Sequence, residues 1–279
     1  MGKFARSWAL AKASLAVLRS DKELLVLPLV AAVVALLVAA TFILPMFGLG
    51  LLDKSAGEPS PLLYLLGFAF YLAQYFVMTF FSAALVGAAM IRLDGGDPTV
   101  MDGLRIAAGK WLQILGYAAI AATVGIVLRA IQERAGFLGR IAVGFVGVAW
   151  TVATFLVVPL LVARDIGPID AVKESAVLLK RTWGENLIGN GGIGLALGLL
   201  NFALMLAGGG LVVFLLAQGL HTPAIVAGVL VVLAVVLLAL AHSALSGIYS
   251  AMLYRYAVAG NAPAGFDGAL LRDAFTQKN

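Results

Sequence analysis

Six apolar stretches, at about residues 24–52, 62–91, 111–131, 141–163, 187–218 and 224–254, constrain this chain more than any other feature. About 20 consecutive apolar residues in a helix cross a hydrocarbon core about 30 Å thick. A water-soluble fold has no use for six such runs. The rest of the sequence agrees: 12% of residues are charged, against about a quarter in a typical soluble domain, and the mean hydropathy is +1.04. Alternating ten-residue segments of the kind that build a membrane β-barrel are absent from the sequence. The expected fold is all-α: one polytopic membrane helical bundle over residues 1–279, with six transmembrane helices in three hairpins and amphipathic interfacial helices on the cytoplasmic side.

Basic residues set the expected orientation. Lys3, Arg6, Lys12, Arg19 and Lys22 precede the first span; Arg92, Arg105 and Lys110 follow the second; Arg164, Lys173, Lys180 and Arg181 follow the fourth; Arg255, Arg272 and Lys278 follow the sixth. The opposite side receives only Lys54, Arg129, Arg134 and Arg140. Basic residues accumulate on the cytoplasmic side of a membrane. Both termini are therefore expected in the cytoplasm of a bacterial cell, with the chain in the inner membrane and residues 260–279 as a cytoplasmic tail. The net charge of +5 then reads as attraction to anionic lipid headgroups. No nucleic-acid module is recognisable, so nucleic acid is not an expected partner. No short apolar core with a cleavage site stands at the start, so no cleaved signal peptide is expected.

The segment KESAVLLKRTWGENLIG, residues 173–189, interrupts the apolar runs with an amphipathic, basic pattern. Lys173-Glu-Ser175-Ala-Val-Leu-Leu179-Lys180 aligns without gaps to Lys12-Ala-Ser14-Leu-Ala-Val-Leu18-Arg19 near the N-terminus. A weaker counterpart, Asp102 to Trp111, precedes the third span. The chain reads as three copies of one unit, an amphipathic helix followed by a membrane hairpin. In residues 1–22 Phe4, Trp8, Ala11, Leu15 and Leu18 share one helical face, with Lys3, Arg6, Lys12 and Arg19 off it. Such a helix suits a headgroup layer. The candidate interfacial or lipid-contacting residues are Trp8, Lys12, Arg19, Lys173, Lys180, Arg181 and Trp183. The same pattern also suits ordinary connecting helices packed beneath the bundle. Ser20 with Glu23 and Thr99 with Asp102 have capping-box spacing, and Pro168 followed by Asp170 marks a helix start.

Three motifs carry a resemblance: Gly167-Pro168-Ile169-Asp170-Ala171 with Ser175, Leu178, Leu179 and Trp183 after it; Asp94-Gly-Gly-Asp97-Pro98; and Gly265-Phe266-Asp267. On these the chain resembles a bacterial family of six-span membrane proteins, a domain of unknown function. More distantly it is similar to the membrane domain found beside glycerophosphodiester phosphodiesterase catalytic domains. The resemblance implies a fold and not an activity. The phosphodiesterase metal site is not carried over: the sequence has two His, no cluster of acids and no soluble stretch long enough for the barrel.

Acids and lysines are missing from the centres of the spans, which argues against a pump built on buried carboxylates. His242 stands inside the sixth span, with Ser246, Tyr249 and Ser250 on or beside its face; Tyr71, Gln74, Tyr75, Met78 and Ser82 form a second stripe in the second span. Either stripe serves a pathway or ligand-contact surface, or else hydrogen bonds between packed helices. A Ser–His catalytic pair would need an orienting acid, and none is at hand. The fifth span is rich in glycine, with Gly194-xxx-Gly198 permitting close packing within the bundle; the sharper readings are an oligomer interface or a flexible gate. The expected partners are membrane lipids and a second copy or a membrane partner protein. Pro28, Pro45 and Pro159 are positioned to kink or end spans. Cysteine is absent, which removes thiolate chemistry and disulfides. The expectation is a non-catalytic membrane protein without cofactor or metal, engaged in membrane organisation or assisting a partner. The alternative is a transporter, channel or lipid-handling protein with a pathway near His242.

Overall fold

The structure, a computed structural model, describes residues 22–48, 61–183 and 192–259. Every regular element among them is helical. The predicted N-terminal amphipathic helix, with Trp8, Lys12 and Arg19, lies outside the described residues, as do Ser20, Asn190 and the tail from residue 260.

Two compact units divide the chain. The larger runs from Val26 to Thr182 and contains α1 (Val26–Gly48), α2 (Pro61–Leu93), α3 (Val100–Gly109), α4 (Trp111–Arg134), α5 (Phe137–Ala153), α6 (Val157–Ala163) and α7 (Pro168–Trp183, whose last residue falls in the other unit). Proline marks several helix starts: Pro61 and Pro168 are first residues, and Pro28 lies in the first turn of α1. A first-turn N–H has no intrahelical partner, so its absence there is harmless.

The centre of this unit is α2, which packs against α1, α3, α4 and α6. The reason is its run of small residues. Ala83, Ala84, Ala88 and Ala89 are almost wholly buried. In lipid there is no hydrophobic force between helices, and small residues associate them by letting backbones approach closely. A Cβ on Gly103 of α3 would sit 2.5 Å from the Ala84 carbonyl oxygen, and one on Gly87 of α2 would sit 2.9 Å from Ile106. The turn leaving α2 needs glycine. Gly95 has φ +86°, and Gly96 donates to the Ile91 carbonyl at 3.0 Å, the long bond of a left-handed helix stop. Arg92 then holds the loop through Asp97 at 3.0 Å.

The fourth span departs from the expected single helix over 141–163. It breaks at Thr154–Leu156 into α5 and α6. Pro159 explains where the second piece starts, since the break places it in the first turn of α6. The break is closed from α7: Ser175 Oγ donates to the Ala153 carbonyl at 2.6 Å and accepts the Leu156 N–H at 3.1 Å.

Two short helices outside the spans repeat one register. In α3, Gly103 and Ala107 are buried and Asp102 pairs with Arg105. In α7, Ala171 and Ser175 are buried and Asp170 pairs with Lys173. Asp102-Gly103-xxx-Ala107 and Asp170-Ala171-xxx-Ser175 thus occupy matching places. The capping box at Thr99 forms in full: the Asp102 N–H donates to Thr99 Oγ1 at 3.2 Å, and the Thr99 N–H donates to Asp102 Oδ2 at 3.0 Å. These bonds hold the Asp102 carboxyl below its ordinary range, the Thr99 hydroxyl first and the Thr99 backbone second.

The smaller unit contains the turn Lys22–Leu25, α8 (Gly192–Ala217) and α9 (His221–Ala259). The helices α8 and α9 form an antiparallel pair whose turn is set by Gly219 at φ +73°. Gly208 lies directly against Val231, while a Cβ on Gly198 would meet nothing within 4 Å. The close approach within this pair uses Gly208, while Gly198 borders open space.

Candidate functional site

The second-span stripe lies along α2 and is engaged by its neighbours. Gln74 Nε2 donates to the Ala35 carbonyl of α1 at 2.9 Å. Tyr71 Oη accepts from Arg129 Nη1 of α4 at 2.7 Å. The Tyr75 hydroxyl lies over Gly125 of α4, 3.0 Å from where a Cβ would be. Met78 is exposed and Ser82 half-buried. This polar set stitches α2 to α1 and α4.

The sixth-span stripe is in the other unit, on α9. His242 is half-buried, Ser246 exposed, and Tyr249 and Ser250 buried. Ser250 donates to the Gly247 carbonyl of its own helix at 2.9 Å. His242 Nδ1 is enclosed and finds no hydrogen-bond partner among the described residues, and the same holds for Asn201 Oδ1 on α8. Of the candidate interfacial residues, Lys173 pairs with Asp170 at 3.8 Å and Lys180 is exposed on α7. Arg181 and Trp183 occupy the last turn of α7.

Lys110 and Arg164 form ion pairs at one end of the larger unit. Lys110 Nζ reaches Asp165 Oδ1 at 3.1 Å and the Arg164 carbonyl at 3.2 Å, tying the α3–α4 junction to the α6–α7 loop. Gln113 adds a bond to Asp165 at 3.3 Å, and Arg164 pairs with Glu174. A Cβ on Gly116 would meet Pro168 at 2.8 Å, so the start of α7 sits close on α4.

At the other end the α4–α5 hairpin holds a site that the sequence analysis did not assemble. A groove of about 750 Å³ opens between the two helices. Its α4 wall presents Gly125, Leu128, Arg129, Gln132 and Glu133, and its α5 wall presents Arg140, Val143, Gly144 and Gly147. Arg129 Nε donates to Glu133 Oε1 at 3.0 Å, and Arg140 Nε donates to the Ala135 carbonyl at 3.2 Å. The signal was present in the spacing: both walls follow a 3.6-residue period across a short link. Reading Arg129 and Arg140 only as topology markers hid it. A second groove, of about 440 Å³ and wholly apolar, lies between α8 and α9 beside Val212 and Val229. His242 lines neither groove. Among the described residues no three His, Asp or Glu gather where they could hold a metal.

Among the described residues six helices are long and apolar enough to cross a membrane: Glu23–Gly48, Pro61–Leu93, Trp111–Arg134, Phe137–Ala163, Gly198–Ala217 and His221–Val258. Large apolar side chains such as Leu36, Leu44, Phe145, Phe202 and Leu237 are exposed on them, as suits a lipid surround. They define a multi-pass helical membrane protein. Residues 62–266 match the family of unknown function DUF6159, and the chain belongs to that family. No curated protein and no solved structure matches it.

Proposed function

We propose that this multi-pass protein is non-catalytic and works by organising the membrane around it or by assisting a membrane partner. The observation that carries the reading is the use made of the span-two polar residues. Gln74 and Tyr71 are hydrogen-bonded to neighbouring helices, and Tyr75 lies closely over α4. The broad exposed apolar surfaces and the exposed faces of α3 and α7, with Met101, Ile169 and Val177, are what such a protein would offer to lipid or to another membrane protein. Three hairpins, each preceded by a cytoplasmic amphipathic helix, and both termini in the cytoplasm of a bacterial cell belong to this reading. It is supported by Lys110 and Arg164 at one end of the larger unit and by the matching registers of α3 and α7.

A pathway along α9 is the second reading, and one observation favours it. His242 Nδ1 and Asn201 Oδ1 are enclosed without a partner among the described residues, and an unmet polar atom at membrane depth is costly. Reconstitution into liposomes separates the two. The organising reading expects ion and solute flux equal to that of empty vesicles. Flux above that level which His242→Ala abolishes would replace it with the pathway reading.

A further inference from the structure

Two glycines of the larger unit mark close helix contacts, Gly103 at Ala84 and Gly116 at Pro168. Two on α5 border the groove between α4 and α5 instead. A Cβ on Gly144 or Gly147 would meet no atom within 4 Å, so both residues border open space. That space is floored by Leu128 and Val143 and opens between two membrane-crossing helices.

Its polarity has a direction. Arg140 stands in the first turn of α5, and Gly147 lies seven residues further on, about 10 Å deeper at 1.5 Å per residue. Arg129, Gln132 and Glu133 stand in the last two turns of α4, at the same end as Arg140. The groove therefore runs from charged to apolar in the order in which a bilayer leaflet runs from headgroup to chain. Two exposed arginines, Arg129 and Arg140, line it against one glutamate, Glu133. Arg129 donates to Glu133 and Tyr71, and Arg140 to the Ala135 carbonyl. A guanidinium carries five N–H donors, so both retain several. Guanidinium forks match the oxygens of a phosphate.

The geometry points to a binding site for a glycerophospholipid of net negative charge in this groove. Its phosphate sits between Arg129 and Arg140, and one acyl chain lies along Gly144 and Gly147. A soluble anion would have no use for the apolar floor, and an uncharged lipid would leave the arginines in excess. The site goes beyond the organising role proposed above and does not depend on it. It requires only that α4 and α5 cross a bilayer.

The test uses the full-length protein in detergent, titrated with phosphatidylglycerol or with phosphatidylcholine of the same chains, with retained lipid counted by native mass spectrometry. One phosphatidylglycerol should be retained with a preference of about tenfold, the scale of one charge-assisted contact. Arg140→Gln should remove the preference and Arg140→Lys restore part of it. Gly144→Leu, which fills open space and should leave the thermal transition in place, should weaken retention of that lipid about tenfold or more. Equal retention of both lipids, unmoved by Arg140→Gln and Gly144→Leu, would mean ordinary surrounding lipid and overturn the site. Sensitivity to Arg140→Gln without sensitivity to Gly144→Leu, together with displacement by inorganic phosphate, would mean a free-anion site and overturn the lipid. Neither result bears on the flux measurement that tests the organising role.

Discussion

At Gly103 a single hydrogen atom decides how two helices meet. The atom nearest to an added methyl is the Ala84 carbonyl oxygen, at 2.5 Å, and backbone in the middle of α2 cannot rotate away. Gly103→Ala should lower stability by about 1–3 kcal/mol, the range for overpacking a close contact. Gly109→Ala, in the same helix with nothing within 4 Å, should be neutral or slightly stabilising. Thermal unfolding of the two variants in one detergent makes the comparison. Asp102 gives a pH dependence. A carboxyl held below its ordinary value contributes stability above that value and loses it as pH falls through the folded one. The difference in melting temperature between the natural chain and Asp102→Asn should therefore be full at neutral pH and vanish as pH falls below 3.8, the ordinary value for the carboxyl. Thr99 and Asp102 were legible in the sequence because a capping box is local. The role of Gly103 was not, because its partner lies on another helix and a glycine in an apolar run announces nothing about what it touches.

The fourth span shows how one hydroxyl can hold a broken helix. Ser175 supplies both an acceptor for the Leu156 N–H and a donor for the Ala153 carbonyl, and both Ser175 and Leu156 are fully buried, so solvent does not replace it. Ser175→Ala should cost about 1–3 kcal/mol, the penalty for leaving buried partners unmet. Ser175→Thr, if the methyl is accommodated, should recover most of it. Unfolding midpoints of both variants decide the matter: an unchanged Ser175→Ala would show that the break does not rely on the bond. Pro159 marked this region in the sequence, but a proline alone does not say whether a span bends, ends or restarts. The hydrogen bonds that choose between these come from α7, more than a dozen residues away. The helix start at Pro168 was readable for the opposite reason: first-turn chemistry involves only neighbours in sequence.

At the scale of the whole molecule, length and hydropathy were enough to place six spans, because the requirement imposed by a bilayer is itself one of length and hydropathy. The α4–α5 groove was not readable in that way, since it depends on which faces two helices turn to each other. Orientation can be checked directly. The chain has no cysteine, so single cysteines report without interference. Cysteines replacing Gly95 and Gly167 should react with a membrane-impermeant maleimide from one side of sealed vesicles, and one replacing Gly136 from the other. Labelling of all three from the same side would break the topology. The shared register of α3 and α7 has a further consequence. Where the preceding span is an unbroken helix, the position holds Ala107; where it is interrupted, the same position holds Ser175. The outer helix behaves like an interchangeable fitting whose one adjustable pin is cut to match the socket behind it, so a chain of this kind can vary the continuity of a span and correct for it by changing a single side chain elsewhere.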